Sequence, residues 1–170
     1  PFLGNAKSII FREHEGSFLV GMIAALKSET GKIAFIGGRD IPLIQNFAYG
    51  FEQGARYVKP DITIYSKTLG TGSEAWDDAS TAKEQALAYY AQGVDIIFAA
   101  AGASGMGVLE AAKETGHFAI GVDRNQNGVQ PGHVLTSLIK RVDIAVYQAL
   151  DELHQGTWTS GVLNLGLKEK

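Results

Sequence analysis

The stretch Gly70-Thr71-Gly72-Ser73-Glu74-Ala75 reads G-x-G-x-x-A between an extended run and a helical one. That spacing suits a dinucleotide-binding turn, where glycines let backbone approach a pyrophosphate at a helix N-terminus. The same chemistry needs an acidic residue at the end of the following strand, to hold a ribose hydroxyl. That strand ends instead in Ala99, Ala100 and Ala101, so a nicotinamide enzyme is disfavoured. No G-x-x-x-x-G-K-[ST] occurs, which removes P-loop phosphate chemistry. Gly102-Ala103-Ser104-Gly105 only approaches a G-x-S-x-G nucleophile elbow, and a tight loop before a helix is its simpler reading. His14, His117, His133 and His154 are scattered, without the spacing of metal ligands. Cysteine is absent, which excludes disulfides, thiolate metal sites and thiol nucleophiles. We therefore expect no cofactor, no metal and no enzyme.

Three further residues have two readings each. Trp76 precedes Asp77 and Asp78 at the start of a helix. Either it packs in the core while an aspartate complements the helix N-terminus, or its ring is a platform for a planar ligand. Asp123 ends an apolar run; it caps the next turn or accepts hydrogen bonds from ligand hydroxyls. Lys140 separates an apolar run from a helix and faces either solvent or a cleft.

These residues need elements to position them. Residues 18 to 28 read as a helix with Ser17 as its cap, broken by Gly31. The run KIAFI at 32–36 reads as a buried strand. A helix follows, with Asp40 as its cap and Pro42 in its first turn. Gly50 and Gly54 lower helix propensity there, and predict close packing of that helix on the sheet. Further strands are expected over residues 62–66, 94–100, 117–122 and 134–139. Further helices are expected over 76–91, 107–115 and 142–153. The tail from Gly156 reads as irregular, with one short strand over 162–167.

Apolar strands alternating with helices predict a parallel α/β sheet covered on both faces. Ligands bind such sheets beyond the carboxyl ends of the strands. The loops at 37–40, 67–75, 101–106 and 123–126 lie there, and all are polar or small-residue loops.

The totals bound the answer. The chain has 170 residues, 45% of them hydrophobic and 19% charged, enough for one packed domain or one large lobe. A net charge of −3 without basic runs argues against nucleic acid as a partner. No apolar stretch approaches the roughly 18 residues of a membrane span. The chain opens at Pro1, so a processed or shortened product is expected.

Several blocks, taken in order, carry a resemblance. They are FREHEGSFLVG at 11–21, TGKIAFIGG at 30–38, Pro42 with Gly50-Phe51 and Gly54-Ala55, and Trp76-Asp77. GVDIIF at 93–98, Ala101-Gly102 with Gly105 and Gly107, IGVD at 120–123, and VLTSLIK at 134–140 with Val142-Asp143 complete the set. The chain resembles the basic membrane protein, or purine nucleoside receptor-like, family of substrate-binding lipoproteins over nearly its whole length.

That resemblance implies a type I periplasmic-binding-protein fold, with two Rossmann-like lobes closing on a ligand. It implies an ABC importer permease as partner and a lipid-anchored or periplasmic, extracytoplasmic location. Its members bind purine or other nucleosides, and relatives bind riboflavin-like or other solutes. Trp76 then stands where the family stacks an aromatic, often Phe, on the base. Gly102, Asp123 and Lys140 then line the polar side of the pocket near the ribose. The opening strands of the first lobe have no counterpart, so mostly the second lobe is expected. Residues 1–30 are expected to form a crossover and hinge helix region, 31–134 the second-lobe core, and 135–170 a return crossover with a helix and tail. The rival readings are an effector-binding domain of a repressor-type regulator, which shares the fold, and an enzyme on a doubly wound sheet.

Overall fold

The structure is a computed structural model that describes residues 4–168; Pro1 lies outside them. Five parallel strands form the main sheet: β2 (Lys32–Arg39), β3 (Thr63–Gly70), β4 (Ile96–Ala100), β5 (Phe118–Asp123) and β6 (Val134–Ile139). Their spatial order is β3-β2-β4-β5-β6. Ile33 and Phe35 of β2 point to one face, Ala34 and Ile36 to the other, and all four are buried. An unbroken apolar run is what burial on both faces requires.

On the first face lie α1 (Glu13–Lys27) and α2 (Pro42–Val58). Phe35, Phe51 and Phe98 meet there, with ring centroids 5.4–6.4 Å apart. Each is essentially fully buried, a gain of about 2 kcal/mol per side chain. On the second face lie α3 (Ala79–Ala91) and α4 (Gly105–Thr115), whose inner surface mixes alanines such as Ala82, Ala86 and Ala111 with Tyr90, Val108 and Leu109.

Glycine sets the spacing of α1 and α2. A methyl group added at Gly54 would overlap the Phe18 carbonyl, and one at Gly50 the backbone of His14. Gly21 faces the Phe51 carbonyl in the same way from the other side. The close approach expected for Gly50 and Gly54 is therefore present, but with α1 rather than with the sheet.

Other local readings also shift. The first helix starts at Glu13, so Ser17 lies inside it, fully buried, and does not cap it. Asp40 does not cap α2; its carboxylate accepts a hydrogen bond from the Gln45 amide at 2.8 Å. Helix α3 is capped as the simpler reading foresees. The Asp78 carboxylate accepts from the Thr81 amide at 2.9 Å and its hydroxyl at 2.7 Å, which holds it below the usual carboxylate range.

A second, separate sheet pairs β1 (Lys7–Phe11) in parallel with β7 (Gly161–Leu165). The chain passes from it to the main sheet at Arg12–Glu13 and leaves the main sheet at Lys140–Arg141. Helix α5 (Val142–Gln155) follows the second passage. It buries only Ala145 among its described residues, and exposes Val142, Val146, Tyr147, Leu150 and Leu153.

If backbone contact fixes the spacing of α1 and α2, Gly54→Ala should destabilise the fold by about 1–3 kcal/mol in urea unfolding. Gly128→Ala, where an added methyl meets nothing within 4 Å, should change it by less than about 0.5 kcal/mol.

Candidate ligand-binding site

All five strands point their carboxyl ends to one edge. The connections run outward in both directions from β2 and β4, so the crevice between these two is the switch point of the sheet. Trp76 fills it. It ends a 3-10 turn (Ser73–Trp76) after β3. Its ring lies so close over Gly38, at the end of β2, that any side chain there would overlap it. On the other side, a methyl group at Gly102 would come within 3.1 Å of the Trp76 carbonyl and 3.5 Å of the ring. Gly102 also has φ +60°, a conformation that glycine adopts without strain.

Ser104 ties these loops together. Its buried hydroxyl donates to the Ala75 carbonyl at 2.9 Å and accepts from the Asp78 amide at 2.7 Å. Both capacities serve structure, and the Gly102–Ser104 turn is the tight loop of the simpler reading. The Gly70–Ala75 pattern likewise fails the dinucleotide geometry. The 3-10 turn and Asp77 intervene before α3, whose N-terminus Asp78 occupies. Among the described residues, no group of three or more His, Asp or Glu could hold a metal ion.

The open cavity lies one step along the edge, beyond β4, β5 and β6. It has a volume of about 710 Å³, and its walls include Gly102, Met106, Asp123, Gln126, Lys140 and Arg141. Three of the residues singled out from sequence, Gly102, Asp123 and Lys140, thus share one cavity. Trp76 touches Gly102 but is half-buried against the core and is not among the cavity walls.

Asp123 is held in an unusual shape. Its φ of 65° is the one positive value at a non-glycine residue among those described. Such backbone strain persists only where the surroundings over-determine it. Here Gln126 does so from inside the loop: its side-chain oxygen accepts from the Val122 amide at 2.8 Å. The Gln126 amide in turn donates to the Ser137 hydroxyl at 3.0 Å, and that hydroxyl donates to Asn127 at 2.7 Å. The Asp123 carbonyl accepts from the Lys140 amide at 2.9 Å. The carboxylate itself is left 56% exposed at the mouth of the cavity.

Lys140 is not solvent-facing; its side chain is 17% exposed. Its ammonium lies 3.2 Å from a Glu13 carboxylate oxygen and 3.7 Å from one of Asp123. The rings of Phe47 and Phe11 lie 5.4 and 5.6 Å from it. Gln126 and Glu13 carry no sequence signal of these roles, because both depend on partners far along the chain.

Gly38→Ala should expel the Trp76 ring from the crevice. In a Trp158→Phe background, which leaves Trp76 as the sole tryptophan, its fluorescence should shift to the red and become more accessible to a quencher.

Comparisons with known proteins bear on the family and the fold. The profile of the Bmp family, described as ABC transporter substrate-binding protein PnrA-like, matches residues 4–170. Basic membrane protein D of Borreliella burgdorferi (strain JD1) is 43% identical over 169 residues, which cover 97% of this chain and 48% of that protein. The chain spans about half the length of the curated relatives it matches. A solute-binding protein of an ABC transporter system from Aeropyrum pernix K1 is 32% identical with a TM-score of 0.89, over 99% of this chain and 49% of that one. A Bacillus halodurans protein, described as a transcriptional activator of the comK gene, is 29% identical with a TM-score of 0.86, over 96% of this chain and 55% of that one. A LacI-family repressor from Corynebacterium glutamicum, at 15% identity and a TM-score of 0.68, shares the fold alone. The expected parallel α/β architecture is thus that of ABC solute-binding proteins, in a chain of about half their length. Matched along nearly all of its residues, the chain belongs to the PnrA-like family of ABC transporter substrate-binding proteins.

Proposed function

We propose that this chain supplies one wall of the ligand cleft in the solute-binding component of an ABC importer, and that the ligand is a purine nucleoside. The observation that carries this reading is the convergence of Gly102, Asp123 and Lys140 on one open cavity at the carboxyl edge of the sheet. An exposed carboxylate suits a pair of ligand hydroxyls, because ionised acceptors make strong hydrogen bonds. Lys140 supplies a donor beside it. Trp76 borders this corner at Gly102 and is only partly buried, and its ring is the candidate platform for a base. The reading is one of capture and release, with no chemical step and no cofactor.

The rest of the protein follows from the same proposal. The main sheet with α1 to α4 forms the second lobe. Sheet β1–β7 and helix α5 belong with the first lobe, and the passages at Arg12–Glu13 and Lys140–Arg141 are the crossovers. The exposed apolar side of α5 supports this division, because an uncovered apolar surface of this kind marks a contact. The partner is the importer's permease, the location extracytoplasmic, and a lipid anchor holds the protein at the membrane. No helix among the described residues is long and apolar enough to cross a membrane.

Isothermal titration of guanosine, adenosine, inosine, uridine and riboflavin into the full-length protein tests the ligand. Saturable heat with a purine nucleoside is expected, weakened about 10- to 100-fold by Asp123→Ala, the loss typical of a charged hydrogen bond. Silence across the panel from folded protein would overturn the nucleoside assignment. The 170-residue chain alone should bind more weakly than the full-length protein, since one wall encloses less of a ligand than two. Equal affinities would contradict the two-lobed cleft.

A further inference from the structure

Glu13 is a buried carboxylate outside the proposed ligand cavity. Its side chain is 4% exposed, and it is not among the walls of the Asp123 cavity. It reaches Lys140 from behind, through a second cavity of about 430 Å³ that lies between the two crossovers. Lys140 thus stands between two carboxylates, Glu13 at 3.2 Å and Asp123 at 3.7 Å. The neighbouring charges are engaged elsewhere. Arg12 bonds Glu15 at 2.5 Å, and Arg141 bonds Asp143 at 2.9 Å.

One cation cannot neutralise both carboxylates equally. Water solvates Asp123, which is 56% exposed, far better than Glu13, which is 4% exposed. An unpaired buried carboxylate costs far more than an unpaired exposed one, so the ammonium stays with Glu13. The rings of Phe11 and Phe47, within 5.6 Å, favour a cation at the same place.

We infer that Glu13 is a positioning residue: it anchors Lys140 from behind the cleft and so keeps the Asp123 carboxylate open to ligand hydroxyls. Without the Glu13 charge, Lys140 would close the short remaining distance to Asp123 and compete with the ligand for it. The inference rests on the reading of Asp123 as the ligand's acceptor, and extends it to a residue on the first crossover.

A double-mutant cycle in the full-length protein, with inosine as the probe, tests the coupling. Glu13→Gln should weaken binding about tenfold, the scale of a lost charged hydrogen bond. In a Lys140→Met background the same change should cost less than about twofold, because no cation remains to capture Asp123. An equal loss in both backgrounds would overturn the inference. A ligand-free measurement keeps it separate from the nucleoside reading: the rate at which acetic anhydride modifies Lys140, followed by mass spectrometry. Glu13→Gln should raise that rate several-fold as the ammonium swings toward the exposed side, and Glu13→Asp should restore most of the protection. An unchanged rate in Glu13→Gln would overturn the anchoring. If the wild-type protein ignores inosine, the nucleoside reading is decided by the other members of the panel, and the labelling rates alone decide the role of Glu13.

Discussion

Five parallel strands must all end on the same edge of their sheet, and every return connection must cross a face to reach the next start. This constraint places four loops of unrelated sequence side by side: those after β2, β3, β4 and β5. It also brings the exit of β6, with Lys140, beside the end of β5, with Asp123. The gathering of these loops on one edge is therefore a consequence of strand direction. The helices that cover the faces hold that direction, and their spacing is set where backbone meets backbone. Gly21, Gly50 and Gly54 let α1 and α2 touch without side chains between them.

On that edge the structure separates two tasks. The crevice between β2 and β4 is occupied by the protein itself: Trp76 lies between Gly38 and Gly102, and Ser104 locks the loop that carries it. The neighbouring space beyond β4, β5 and β6 is left open. Its polar groups are held by second-rank contacts rather than by each other. Gln126 and Ser137 shape the turn that presents Asp123, and Glu13 holds the cation beside it. Preorganisation of this kind lowers the ordering cost that a small ligand must overcome on binding.

The alternation of strands and helices was legible because the central strands β2, β4 and β5 carry continuous apolar runs. Residues 134–139 coincide with β6, and the other core strands differ by a few residues at their ends. Asp123 and Lys140 were legible as strand-end polar residues, and their shared cavity follows from the topology. Three features were not legible, for one reason: each depends on contacts distant in sequence. The strand β1 is five residues long, and its partner β7 begins at Gly161. Glu13 sits in the charged segment Arg12-Glu13-His14-Glu15, where no local pattern marks it for burial beside Lys140. Gly50 and Gly54 announce a close approach, but local sequence does not say whether sheet or helix approaches.

The central claim is that ligand binds at the Gly102, Asp123 and Lys140 corner of the carboxyl edge. The most direct measurement is a map of backbone amide chemical shifts in isotopically labelled full-length protein as inosine is added. Within this chain, the largest changes should fall at residue 102, over 123–126 and at residue 140, while the β1–β7 sheet moves little. Saturable changes centred elsewhere in this chain, with that corner unmoved, would contradict it.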